Sequence, residues 1–225
     1  MVKSYIKLDE KKLAENTMEK ALEILKTIEF EEGHSLLWNW RAGFSYFFLE
    51  DFANAEKCFL KAYELDPDDN DTCDFLIAIY RNLAKLENEN RNSEKSIEYA
   101  LESKKYAYDE EGRIETDSFL AWTYNRYGKY EEAEEILRPI LAKNKRDVEG
   151  NYELGYSLFK QERYEEAQKE YNDLDRKTNK TPEDKIKKES ARRAMDKALK
   201  DMEKSPNDSN RTKGQPSKGG GNKKR

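Results

Sequence analysis

The four residues Tyr-Glu-Glu-Ala occupy positions 130–133 and recur at 164–167, 34 residues later. The repetition extends well beyond the tetrapeptide. In 114–147, Ala121, Tyr124, Tyr130, Ala133 and Leu137 hold the offsets that Gly155, Leu158, Tyr164, Ala167 and Tyr171 hold in 148–181. An earlier segment, 36–69, places Gly43, Tyr46, Ala55 and Phe59 on the same frame. A fixed period of this length restricts the chain severely. Each period must be one small supersecondary unit that cannot bury its apolar face alone and has to stack on the next.

The residue types say what the unit is. Two antiparallel helices approach closely only where facing side chains are small. The pairs Gly43/Ala55, Ala121/Ala133 and Gly155/Ala167 supply such points. Aromatic residues between them, Tyr46, Phe59, Tyr124, Tyr130, Tyr164 and Tyr171, fill the space between units, each burying roughly 150–250 Å². On these residues the chain resembles the tetratricopeptide repeat, a helix–turn–helix unit of 34 residues. The resemblance implies an all-α solenoid, a TPR-like superhelix. Its repeats are expected at 36–69, 70–113, 114–147 and 148–181.

The copies are unequal. Segment 70–113 has 44 residues; its first helix carries Cys73, Leu76 and Tyr80 and its second Ser96, Ala100 and Ser103. Ile77 stands where a small residue is expected, so this unit is expected to splay its helices. The extra residues are expected in a longer inner loop, Glu87–Ser93, and a longer exit, Tyr108–Arg113. Residues 1–35 read as a degenerate N-terminal repeat or capping helix. Asn16 with Glu19 resembles a capping box opening a helix over 17–31.

Beyond 181 the pattern changes. Thr181-Pro182-Glu183-Asp184 is a helix start, with proline in the first turn and acids against the dipole. Ile186, Ala191, Ala194, Met195, Ala198, Leu199 and Met202 then form a stripe at helical spacing. A C-terminal capping helix over 182–204 follows. Positions 205–225 contain no residue from the hydrophobic set, so this basic tail is expected to be disordered.

Composition supports the same architecture. Charged residues reach 40% against 36% hydrophobic, and mean hydropathy is -1.14. Strands of a doubly wound sheet need near-continuous apolar runs that this chain lacks. No apolar run approaches the roughly 20 residues that span a membrane, and no membrane partner is expected. The last 45 residues hold 14 Lys and Arg against 7 Asp and Glu, which leaves 28 basic and 40 acidic residues in 1–180. An acidic body thus carries a basic tail. Two cysteines, Cys58 and Cys73, exclude a disulfide framework and suit a cytoplasmic protein.

No catalytic constellation is visible, and the chain reads as a non-enzyme without cofactor or metal. Its one histidine, His34, lies in the linker Glu32-Gly33-His34-Ser35. Cys58 and Cys73 are too far apart for a redox pair of the C-x-x-C kind. Pairs such as Glu131-Glu132 read as capping and solvating residues.

Binding remains. The resemblance implies a groove lined by the first helix of each unit. Matching positions give Trp40, Phe44 and Phe47, then Asp74, Ala78 and Arg81, then Ser118, Trp122 and Asn125, and last Tyr152, Tyr156 and Phe159. One subset of the family holds acidic chaperone tails with a Lys/Asn/Arg clamp. Trp40, Phe44, Asp74, Phe75 and Glu153 stand at those positions here, which argues against that ligand. The groove reads as aromatic and acid-flanked, suited to an apolar or basic helix or peptide of a protein partner. For Trp40, Phe44 and Phe47 the competing reading is packing beneath helix 17–31. A scaffold or adaptor is the favoured function. A nucleic-acid- or ribosome-associated factor using the tail, and a toxin-neutralising or peptide-sensing regulator, are the alternatives. Deleting 205–225 removes no apolar area, so the thermal midpoint is expected to stay within a few degrees; scanning calorimetry of the two chains checks it.

Overall fold

The computed structural model describes residues 2–32, 35–144 and 148–175, with Lys185, Ile186, Glu189, Arg193 and Asp196. The elements are α1 (Val2–Glu32), α2 (Leu36–Phe48), α3 (Phe52–Leu65), α4 (Asn70–Glu89), α5 (Ser93–Ser103), a 3-10 turn (Lys104–Tyr106), α6 (Glu110–Arg126), α7 (Tyr130–Lys143), α8 (Val148–Lys160) and α9 (Tyr164–Asp175). No strand occurs among the described residues. Helices α2/α3, α4/α5, α6/α7 and α8/α9 pack as hairpins, and each hairpin packs on the next. The chain is an all-α helical solenoid.

All four hairpins are closed by the same turn. Its three residues are 49–51, 90–92, 127–129 and 161–163. The middle residue is left-handed each time: Glu50 (φ 60°), Arg91 (59°), Gly128 (74°) and Glu162 (62°). The following residue donates its backbone N–H to a carbonyl five residues back, Asp51 to Tyr46, Asn92 to Glu87, Lys129 to Tyr124 and Arg163 to Leu158, at 2.8–3.0 Å. Those bonds satisfy carbonyls that each helix end would otherwise leave unpaired. Only Gly128 adopts this backbone without a Cβ penalty. Asp51 and Asn92 then cap the second helix, accepting from the N–H of Asn54 and Lys95.

Twelve residues separate the small pair at each crossing: Gly43/Ala55, Ala84/Ser96, Ala121/Ala133 and Gly155/Ala167. All eight are buried. A Cβ on Gly43 would sit 2.9 Å from the Phe59 ring, and one on Gly155 would collide with Tyr171. At the second crossing Ser96 Oγ donates to the Ala84 carbonyl at 2.9 Å.

The second hairpin corrects the sequence-based expectation. Ala84 occupies the small-residue position assigned to Ile77, and α4 and α5 meet closely rather than splaying. Neither Glu87–Ser93 nor Tyr108–Arg113 is a long loop. The inner turn is the standard three residues, and the exit after the 3-10 turn is 107–109. The surplus instead lengthens helices: 14 residues of α4 precede Ala84, whereas seven residues of α2 precede Gly43. Asp69, two residues after Pro67, starts α4 two turns early, and its carboxylate accepts from the Thr72 hydroxyl.

At the N-terminus, one helix runs through Asn16, where a helix start was expected. Positions 2–32 contain neither glycine nor proline. An interior asparagine costs well under ~1 kcal/mol of helix propensity, too little to break the run. Leu22 and Leu25 of α1 pack on Trp38, Ala42 and Cys58, and Trp38 Nε1 donates to the Leu25 carbonyl at 3.0 Å. Packing then continues in series along the stack, with Phe59, Leu76, Leu137 and Leu158 fully buried, each contributing roughly 1.5–3 kcal/mol. The described positions between 185 and 196 are helical. The rest of the expected capping helix 182–204, the tail 205–225 and His34 lie outside the described residues.

Overpacking a small crossing position should cost roughly 1–3 kcal/mol. Ala84→Leu, Ala133→Leu and Ala167→Leu are expected to show that loss in urea unfolding, and exposed Ala142→Leu is not. A neutral Ala84→Leu would return the crossing to Ile77.

Candidate functional site

The first helices α2, α4, α6 and α8 carry the expected binding residues, but the structure divides those residues into different environments. Trp40, Phe44 and Phe47 are half-buried among aromatic rings. Trp40 and Phe44 stack at 5.7 Å. Phe75 meets Trp40 at 5.6 Å, Phe44 at 5.8 Å and Phe47 at 5.3 Å, edge-on, and stacks on Phe59 at 4.7 Å. Phe75 belongs to the two additional turns of α4. These turns fill the first unit's groove from within the chain. The cover is therefore α4, not α1, which packs on the opposite face of α2 through Trp38 and Ala42.

The twelve-residue register places Arg81 and Lys85 on α4 where α2 has Trp40 and Phe44. Ser118 and Trp122 stand at the same positions of α6. These four side chains line one cleft of about 530 Å³, together with Glu111, Ile114, Glu115 and Phe119 of α6. The lining comes from first helices alone. Trp122 stacks on Phe119 at 5.5 Å and lies under the Arg126 guanidinium at 5.0 Å. Arg81 covers Phe119 at 5.1 Å and pairs with Glu115. Buried Ser118 Oγ meets no hydrogen-bond partner among the described residues. Apolar rings, two cations of α4 and two carboxylates of α6 thus share one opening. Asp74 and Ala78, also expected to line the groove, lie outside this lining.

Asn125 is not a surface residue. It is buried, donates through Nδ2 to the Glu153 backbone carbonyl at 3.1 Å and to Glu153 Oε2 at 2.9 Å, and accepts from Ser157 Oγ at 2.7 Å. This polar bridge joins α6 to α8. In α8, Tyr152 lies 6.3 Å from Tyr171, and Tyr156 meets Tyr130 at 6.3 Å with Lys160 Nζ 5.5 Å above its ring. Phe159 is edge-on to Tyr164 at 5.5 Å. Burial pushes the Tyr152 and Tyr171 hydroxyls above the ordinary phenol range, helped by the Glu153 carboxylate. Among the described residues no ring contact joins Trp122 to these tyrosines, so the aromatic positions form separate clusters.

Lys85, Ile114, Glu115 and Phe119 were not anticipated. The available signal was the interval of twelve from Ser96 back to Ala84, which moves the lining of α4 by two turns. Among the described residues, no group of three or more His, Cys, Asp or Glu is placed to hold a metal ion. No described helix is long and apolar enough to cross a membrane.

Family profiles described as tetratricopeptide repeat match residues 39–69 and 124–183. No curated protein matches the chain. Among solved structures, similarity extends to the TPR domain of P58(IPK), at 15% identity over 81% of this chain and 53% of that one, with a TM-score of 0.44. A tetratricopeptide repeat protein from Parabacteroides merdae matches at 12% identity over 84% and 69%, with a TM-score of 0.49. Pseudomonas aeruginosa pilF matches at 15% over 91% and 92%, with a TM-score of 0.47. The chain spans about half the length of the P58(IPK) domain.

The different surroundings of the rings lead to mutational costs of different size. Phe75→Ala uncovers several rings at once and should cost roughly 2–4 kcal/mol, in the lower part of the range for large-to-small core changes. Trp122→Ala, on the cleft wall, should cost less than half as much. Thermal and urea unfolding of the two variants compares them.

Proposed function

We propose that this chain, which matches tetratricopeptide repeat profiles over 39–69 and 124–183, is a protein-binding scaffold whose cleft between α4 and α6 receives a peptide or helix from a partner. The observation that carries this reading is the placement of Trp122, Phe119 and Ile114 beside Arg81 and Lys85 in one opening of about 530 Å³. An apolar side chain of the partner sits on the rings, and polar groups beside it meet Lys85 and Glu111. Aromatic anchors flanked by charge are the usual energetic centre of such interfaces. Tyr156 and Phe159 extend the surface along α8, whereas Trp40, Phe44 and Phe47 are covered by Phe75. Cys58 and Cys73, buried and not joined in a disulfide, suit work in the reducing cytoplasm.

The test uses a peptide selected from a random library against the full chain. Trp122→Ala is expected to weaken it by about 2 kcal/mol or more, roughly thirtyfold, and adding Tyr156→Ala to abolish capture with helicity intact. Capture that survives in the double variant yet disappears on deleting 205–225 would move the function to the tail. Strong salt dependence should accompany that outcome, through contacts of the nucleic-acid kind.

A further inference from the structure

A second opening lies on the opposite face of α2. Trp38 and Ala42 are each two residues from Trp40 and Phe44, about 200° around the helix. They therefore face α1 and α3 when the other pair faces α4. Between α1 and α3 a pocket of about 170 Å³ is floored by Leu22, Leu25, Trp38 and Ala42. Three lysines line it: Lys26 from α1, and Lys57 and Lys61 one turn apart on α3. Among the described residues no carboxylate lines it, although acidic residues outnumber basic ones by 40 to 28 over 1–180. Elsewhere cations meet acids, as in Lys104 with Asp117, Lys143 with Glu110 and Arg163 with Glu134. No such pair involves Lys26, Lys57 or Lys61 among the described residues.

Like charges gathered around an apolar floor repel one another, and an anion seated among them relieves that repulsion. The floor is already fixed, because the Trp38 indole is tied to the Leu25 carbonyl. Preorganisation of this kind lowers the cost of binding. The pocket is smaller than the roughly 300 Å³ of a small-molecule site, yet has room for one side chain. We propose that it docks an acidic linear segment of a partner protein. One Leu- or Phe-sized side chain rests on the Trp38 floor, and neighbouring Asp or Glu side chains meet Lys26, Lys57 and Lys61. The site is independent of the cleft on α4 and α6.

The probe is a fluorescent peptide with one phenylalanine between runs of Asp and Glu, titrated against the full chain by anisotropy. Saturable binding is expected. It should weaken at least tenfold with Lys57→Glu/Lys61→Glu and at least fivefold when the peptide's phenylalanine becomes alanine, and stay unchanged in Trp122→Ala. The lysines are exposed, so circular dichroism should show the charge-reversed chain folded. The proposal is overturned by absent saturation, by indifference to the reversed lysines, or by equal binding of the peptide without phenylalanine, which indicates diffuse charge. Equal affinity for a single-stranded oligonucleotide of the same length assigns the lysines to nucleic acid and overturns it as well.

Discussion

The close crossing of paired helices at two small side chains is the contact on which the rest of this protein depends. At Gly155 the Tyr171 ring occupies the space a Cβ would take, and at Gly43 the Phe59 ring does nearly the same. Helices this close let a ring of the second helix, Phe59 or Tyr171, lie directly against the backbone of the first. That arrangement lets a chain with 40% charged residues fold. The core is a series of thin layers instead of one central mass, and each layer is completed only by its neighbour. The identical left-handed turn fixes the second helix relative to the first, so the crossing and the turn specify each other.

Repetition alone would have produced four equivalent units with one continuous groove. The additional two turns of α4 interrupt that symmetry. They carry Phe75 into the rings of Trp40, Phe44 and Phe47, exchanging a potential binding surface for intramolecular burial. A large exposed aromatic patch is a liability in a soluble chain unless a partner covers it. Here the chain supplies its own cover for the first unit. The opening then begins where that cover ends, at Arg81, one and a half turns beyond Phe75 on the same helix. The extension therefore fixes both the stability of the first unit and the edge of the cleft.

What could be read from the sequence follows from how locally each feature is encoded. The repeat, the all-α class and three of the four crossings lie in short-range spacing, and the structure has them. The second crossing was misplaced because Ala84 sits in a stretch of ordinary helix formers, and because a serine, Ser96, replaces the usual partner alanine. Ile77 was judged by its distance from the preceding unit, which the longer α4 had altered. The site suffered more than the fold, since a two-turn shift drops Asp74 and Ala78 from the lining, keeps Arg81 and adds Lys85. Trp122, expected on the groove from its place in the repeat, lies on the wall of the cleft. The burial of Asn125 was not visible, because its partners Glu153 and Ser157 are 28 and 32 residues away.

Electrostatics then separates the two sides of the stack. Around α7, Arg163 of the α8–α9 turn bonds to Glu134 at 2.6 Å and Gln161 of that turn to the same oxygen at 3.0 Å, while Arg138 holds the other oxygen at 2.6 Å. Burial pushes the Glu134 carboxyl up, but these three donors outweigh it and hold it below the ordinary range. Its depressed value means that this contribution is present above the ordinary carboxylate range and is lost as pH falls. Arg138 and Arg163 also share Glu166, so α7 and α9 are bound by a closed network rather than isolated pairs. On the first helices the charges stand against rings: Arg81 over Phe119, Arg126 over Trp122 and Lys160 over Tyr156. A cation over a ring is held by the negative face of the π system, and Arg81 pairs with Glu115 as well. Charge on the α7–α9 side thus ties the stack together through shared carboxylates, whereas on the first helices much of it lies against aromatic faces.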